Sequence, residues 1–357
     1  MSGVLTMTVA GKNYTGFKTV LVSRGIETGP HQFELTAAPD LDESAGIYAV
    51  EIGQECTISV DGELIISGYV DDVATDYDAE NVSVSVAGRS RIGDLVDCSN
   101  NGMQIKRGQS LQAIAATLCE PFSISVSADS SAAPAVAQPF STTDLALDAG
   151  QPIWEFLEEL ARLRGVLITS DAKGNIIFTR RGSAYADTDL VLGKNIKAAS
   201  GHRSHRSLFS DYIVNGQQTL WYSSDSSANS QPKAKVTGDS ARYRPTVFQS
   251  DSPADTATCE QQAEWRRRMD YARSRGVTYT VQGWYQTPGG RLWEPNEITH
   301  VTDSRNKFNG TEVIITEVRL ILSERQGRIT ELTVMPAPAF DLLATLNSSN
   351  NSNGATA

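Results

Sequence analysis

The change of hydrophobic period along the chain limits its fold more than any other feature. Cys56-Thr57-Ile58-Ser59-Val60 alternates, Asp61-Gly62 follows, and Leu64-Ile65-Ile66 opens a second run. Period-two alternation buries one face of a strand, and an Asp-Gly pair supplies the positive φ that a tight hairpin turn requires. Val82-Ser83-Val84-Ser85-Val86 alternates in the same way after the polar stretch Asp78 to Asn81. Thr6 to Ala10 and Tyr14 to Phe17 flank Gly11-Lys12-Asn13, and Gln32 to Thr36 adds a further strand. Short strands at this spacing predict an antiparallel β domain over residues 1–95, a small barrel or sandwich.

The period then lengthens. Leu111, Ile114, Ala115 and Leu118 fall at helical spacing behind Ser110, a natural N-cap, and Phe122 to Val126 alternates as a strand. Residues 96–130 therefore read as a helix–strand insertion, and residues 131–150, within a stretch rich in Ser, Ala and Pro, as a linker. A helix opens at Pro152, carries Ile153, Phe156, Leu157, Leu160 and Ala161 on one face, and stops at Gly165. Val166 to Thr169 and Ile176 to Thr179 flank Asp171 to Asn175 as a β-hairpin, which makes residues 151–185 a helix–hairpin domain. A second β domain is expected over 186–340, with strands at Tyr212–Asn215, Val277–Tyr285, Ile298–Thr302, Val313–Ser323 and Arg328–Val334. A polar excursion at 222–245 and a helix at 256–275 interrupt it, and residues 341–357 read as a disordered tail. The fold class is mainly β with α/β insertions, α+β overall.

Composition narrows the function. The hydrophobic share of 40% is enough for buried cores, and the net charge of −11 argues against a surface built to grip nucleic acid. Cys56, Cys98, Cys119 and Cys259 are too far apart for a zinc knuckle or a disulfide framework and read as buried small hydrophobes. The N-terminus has no basic start and no sustained apolar run, and no window approaches a membrane span, so the chain reads as one folded in the cytoplasm.

A search for catalytic chemistry yields no candidate. Gly88-Arg89-Ser90-Arg91-Ile92 breaks the nucleophile-elbow pattern at Ile92, and Asp76 to Asn81 lacks the glycine and distal glutamate of a calcium loop, leaving a solvated turn. His202 and His205 lie three apart, but Arg203 and Arg206 beside them disfavour a metal. No catalytic, cofactor or metal residue is assigned. One helix is distinctly basic, with Arg266, Arg267 and Arg268 followed by Arg273 and Arg275. Either these arginines pair with Glu260 and Glu264 at helical spacing, or Arg266, Arg267, Arg273 and Arg275 meet an acidic patch on a neighbouring subunit. Lys106-Arg107-Gly108-Gln109-Ser110 and the following helix resemble the opening of a LysM saccharide-binding repeat. That resemblance implies an alternative function, a cell-wall saccharide-binding or lytic protein using residues 104–126.

Four stretches in order resemble the baseplate hub protein of Mu-like contractile-tailed phages, the late tail protein P family. They are Val84 to Ser90 with Asp94 to Ser99, Trp154 to Arg181, Gln282-Gly283-Trp284-Tyr285 with Gly290 to Asn296, and Val313 to Val334 closing on Pro336 to Phe340. A more distant similarity extends to the hub part of type VI secretion spike proteins. The resemblance implies two related β-barrel domains per chain and a homotrimer whose six barrels surround a channel. It implies as partners a central spike protein, the tail tube protein, the tape measure protein and inner baseplate proteins, with DNA only in transit and no stable membrane insertion. The implied location is the virion tail baseplate, assembled in the host cytoplasm.

Overall fold

The computed structural model of the chain describes residues 3–26, 29–37, 46–79, 82–100, 102, 105, 108–140, 150–217, 232–253 and 256–337. Seven strands carry the first ninety residues: β1 (Leu5–Val9), β2 (Lys12–Tyr14), β3 (Thr19–Gly25), β4 (Gln32–Ala37), β5 (Glu55–Val60), β6 (Glu63–Tyr77) and β7 (Val82–Ser90). Their alternation is real: Leu5, Met7 and Val9, then Cys56, Ile58 and Val60, then Val84 and Val86 are all buried. Asp61 and Gly62 take φ of 46° and 88° and join β5 to β6. The first turn falls on Ala10 and Gly11, with φ of 48° and 76°, so β2 begins at Lys12 rather than Tyr14. β3 has no counterpart among the predicted strands, because its inward positions run Val20, Val22, Arg24 and the charged residue hides the pattern.

Next come α1 (Gly93–Asp97), α2 (Leu111–Cys119), β8 (Val126–Ala128), α3 (Ala133–Val136), α4 (Ile153–Arg164), β9 (Leu167–Ser170) and β10 (Ile176–Thr179). The Ser110 hydroxyl accepts from Ala113 N–H at 3.3 Å and caps α2. Gly165 ends α4 at φ 58°, with Val166 N–H returning to Ala161 O. Two expectations fail here. Phe122 ends a 3-10 turn and Ser123 is left-handed, so the strand starts at Val126 instead of Phe122. Ala132, Ala135 and Val136, assigned by composition to a linker, are buried in the core shared by α2, α4 and β10. Small apolar side chains resemble a linker in composition yet fill a tight helix contact. The rest of that expected linker, 141–149, lies outside the described residues.

The remaining elements are β11 (Leu190–Val191), β12 (Ile196–Gly201), β13 (Asp211–Gln217), β14 (Lys233–Thr237), β15 (Pro245–Pro253), α5 (Thr256–Arg273), β16 (Val277–Gln282), β17 (Ile298–Asp303), β18 (Phe308–Ser323) and β19 (Gly327–Pro336). The expected excursion at 222–245 contains β14, whose lysines at 233 and 235 face outward while Ala234 is buried. The residues 222–231 of that excursion, and the expected tail at 341–357, lie outside the described residues. Cys98 is exposed, unlike the other three cysteines, because it follows α1 at its open end.

The chain divides into two compact units. The larger comprises Met1–Ser200 with Thr278–Val334, and the smaller Gly201–Val277 with Met335–Ala357. In the larger, one sheet runs β12-β16-β19-β18-β3-β4-β7-β6-β5-β1-β2, with β17 on β18 and β11 on β17. Strand β18 joins the two ends of the sequence, pairing Glu317 to Leu322 with Gly25 to Val20 of β3 in antiparallel register. A three-stranded sheet β8-β10-β9 completes the α2–α4 core. In the smaller unit α5 packs on the sheet β14-β13-β15 over Tyr212, Val214, Ala234, Cys259 and Ala263.

Asn296 fastens the helix–hairpin region to the large sheet. It sits at φ 69°, accepts from Gly182 N–H at 2.9 Å, and donates to Thr179 Oγ1 at 3.1 Å and Arg180 O at 3.0 Å. Asparagine tolerates this conformation better than other residues with a β-carbon. Asn296→Ala should cost about 2–3 kcal/mol in urea unfolding, from lost hydrogen bonds and backbone strain. Asn296→Gly, which accepts the φ, should lose about 1 kcal/mol less.

Candidate functional site

The basic helix resolves into internal pairs. Arg267 forks onto Glu264 at 2.7 Å and reaches Asp239 at 2.9 Å, and Arg268 shares Glu264 at 2.9 Å. Hydrogen bonding to Glu264 raises the Arg267 pKa above its ordinary value. Arg266 approaches Asp270 at 3.3 Å while its side chain stays 54% exposed, and Arg275 lies 4.5 Å over the Tyr271 ring. Burial raises the Asp270 carboxyl, against the opposing Arg266 charge. Arg273 is exposed on the last turn. The Glu264 pairing follows helical spacing, whereas Asp239 comes from the loop after β14 and could not be read from the sequence. His205, the other residue type considered for metal, has its Nδ1 3.1 Å from the Arg242 guanidinium.

Buried charges in the large sheet hold structure. Arg24, with a side chain 5% exposed, forks onto Glu294 at 3.0 Å and donates to Trp293 O at 3.0 Å. His31 is buried nearby, and burial together with the Arg24 charge lowers its pKa to about 3. Glu297 accepts from Gln286 and Arg291, both at 2.6 Å, and burial raises its carboxyl pKa. Burial opposes ionisation of Asp303, but bonds from Asn306 and Tyr279 hold it below the usual carboxylate range. Each acid has a structural partner. Among the described residues no group of three or more His, Cys, Asp and Glu could hold a metal. Among the described residues no helix is long and apolar enough to cross a membrane. The saccharide-binding candidate at 104–126 places Leu111, Ile114, Ala115 and Leu118 fully in the core, while Lys106 and Arg107 lie outside the described residues.

Two surface features escaped the sequence reading. The outer part of β6 is exposed from Ala74 onward, and Tyr77 near its tip is 80% exposed. At the other end of the sheet, beside β12, a cavity of about 330 Å³ is walled by Ile196, Val281 and Trp293. Lys194 and Lys197 also line it, and Lys197 donates to Gln282 at 2.6 Å. The Trp293 indole N–H is buried without an acceptor among the described residues. Tyr77 stood in a stretch whose acids suggested only a solvated turn, and the pocket joins residues from distant strands.

The described residues thus form an extended sheet with an exposed aromatic arm. Residues 4–90 match the Mu phage baseplate assembly protein GpP-like N-terminal family. Residues 92–180 match the second domain of the gp44-like baseplate hub family, and 255–343 the fourth domain of the Mu GpP family. Baseplate hub protein gp44 of Escherichia phage Mu is 30% identical over 347 residues, covering 95% of this chain and 89% of that relative. The 43 kDa tail protein of prophage MuSo2 from Shewanella oneidensis is 31% identical with a TM-score of 0.82, covering 95% of this chain and all of that one. A tail protein from Neisseria meningitidis shares the fold at 18% identity and a TM-score of 0.81, covering 96% of this chain and 99% of that one. An E. coli type VI secretion component shares it more distantly, at 14% identity and a TM-score of 0.56 over 92% of this chain and 76% of that one. The chain belongs to the baseplate hub protein family of Mu-like phages.

Proposed function

We propose that the chain is the structural hub subunit of a contractile-tail baseplate, acting as a homotrimeric ring. The observation that carries this reading is the large sheet, which joins the first and last strands of the chain and, among the described residues, leaves β2, β12 and the short β11 as edge strands. Open edges invite pairing, and a closed ring of copies covers them. In that ring the strands of residues 1–95 and of 186–340 act as two barrel-like tube domains per chain. Six such domains match a sixfold tail tube above to a threefold central spike below. The tail tube, tape measure and inner baseplate proteins are the other neighbours, and the virion tail is the location.

DNA would pass through the channel without being held. The net charge of −11 per chain suits a lumen that is neutral to negative, since phosphates are repelled there. A channel ringed by unpaired arginines in a solved trimer would overturn this point. The reading assigns no catalytic group and no cofactor. Arg266, which also pairs with Asp270, and Arg273 on the exposed side of α5, with Arg275 just past its end, are exposed candidates for contact with an acidic neighbour, and Arg267 is half-buried against Glu264 and Asp239.

Light scattering after size exclusion tests the assembly. The expected mass is three times 38.6 kDa. A chain that stays monomeric at every concentration, and also when co-expressed with its spike, would refute the ring.

A further inference from the structure

The long strand β6 outruns its neighbours. Val84 of β7 still pairs with Ala37 of β4, but among the described residues only the β6–β7 ribbon continues beyond it, with Asp76 opposite Ser83 and Tyr77 opposite Val82. The ribbon ends in Asp76, Tyr77 and Asp78, all exposed. An aromatic side chain left 80% exposed between two acids has the composition of an interface anchor. It does not fill the lysine-lined cavity of its own chain, as that exposure shows.

We propose that Tyr77 of one copy seats in the cavity beside β12 of the next copy, with Asp76 and Asp78 against Lys194 and Lys197. The inference rests on the ring reading and names the contact that closes it. Neighbouring residues on a strand point to opposite faces, so Tyr77 can enter while Asp76 stays at the rim. Ile196, Val281 and Trp293 give the ring an apolar wall. Two carboxylates meeting two ammonium groups fix orientation and favour encounter. Arm and pocket are different patches of one surface, so the contact is heterologous and closes into a ring when the rotation allows.

The test measures trimer dissociation of the full chain by light scattering across a dilution series. Tyr77→Ala should raise the half-dissociation concentration by about thirtyfold or more. Asp76→Lys with Asp78→Lys should also weaken the trimer, and adding Lys194→Asp with Lys197→Asp should restore it. All five positions changed in these variants are exposed at the surface, and circular dichroism checks that each variant is folded. A trimeric parent protein unaffected by any variant would overturn this contact and leave the ring standing. A parent protein that stays monomeric at every concentration, alone and when co-expressed with its spike, would overturn both.

Discussion

Gly68→Ala is expected to leave only traces of folded protein. Gly68 is buried at the middle of β6, paired with Cys56 of β5 on one side and Ser90 of β7 on the other. A β-carbon there would stand 1.8 Å from Arg89 O and 2.7 Å from the Ser90 Cα. These are backbone atoms, so no rotamer change relieves the overlap, and two central strands must separate. Gly88 of β7, opposite Val70, is equally confined, with its β-carbon position 2.1 Å from Tyr69 O and 2.6 Å from the Phe33 ring. The cost should exceed about 4 kcal/mol, a large share of the stability of an ordinary domain. Soluble yield and urea unfolding provide the measurement. Gly46→Ala is the control, since nothing lies within 4 Å of its β-carbon position. That variant should stay within about 0.5 kcal/mol of the parent.

Acid should weaken the larger unit through His31 before most carboxylates titrate. Burial and the Arg24 guanidinium lower the folded-state pKa of His31 to about 3, against an ordinary value of 6.5. The unfolded chain therefore binds a proton first as pH falls. Stability is complete above about pH 6.5 and is lost progressively toward pH 3, by about 1.4 kcal/mol per pH unit. His31→Gln removes this titration. Urea unfolding of both proteins at pH 7, 6, 5 and 4 should show the difference in stability shifting by about 3 kcal/mol in favour of the variant. A constant difference would mean that His31 is not buried beside Arg24 in the neutral form. Any fixed cost of placing an amide there cancels in this comparison.

Local signals carried much of the fold. Asp61-Gly62, the Ser110 cap and Gly165 each state a backbone conformation that nearby residues suffice to impose, and each stands where the sequence placed it. What failed was decided at a distance. Arg24 makes β3 look unlike a strand, yet it is accommodated by Glu294, 270 residues away. Lys233 and Lys235 look like loop until Ala234 between them is seen to pack under α5. The pattern of Ala132 to Val136 suggests a spacer because burial of small side chains leaves no periodic mark. The candidate surface was legible only in part. Arginines 266 to 268 declared a basic helix, but the acid Asp239 that engages Arg267, and the separation of Tyr77 from a pocket on other strands, belong to tertiary structure.

The β3–β18 pairing also sets a timetable for biosynthesis. Ser23 donates to Glu317, 294 positions further along the chain, and β18 lies between β3 and β19 in the sheet. Strand β3 emerges from the ribosome early and must wait for nearly the whole chain before its second neighbour exists. During that interval it presents an unpaired edge of alternating valines, the kind of surface that aggregates or recruits chaperones. Contacts of such long sequence separation also slow folding itself. Premature termination anywhere before β18 thus yields a chain that cannot close its sheet, so defective products would be removed as unfolded protein instead of entering a growing particle.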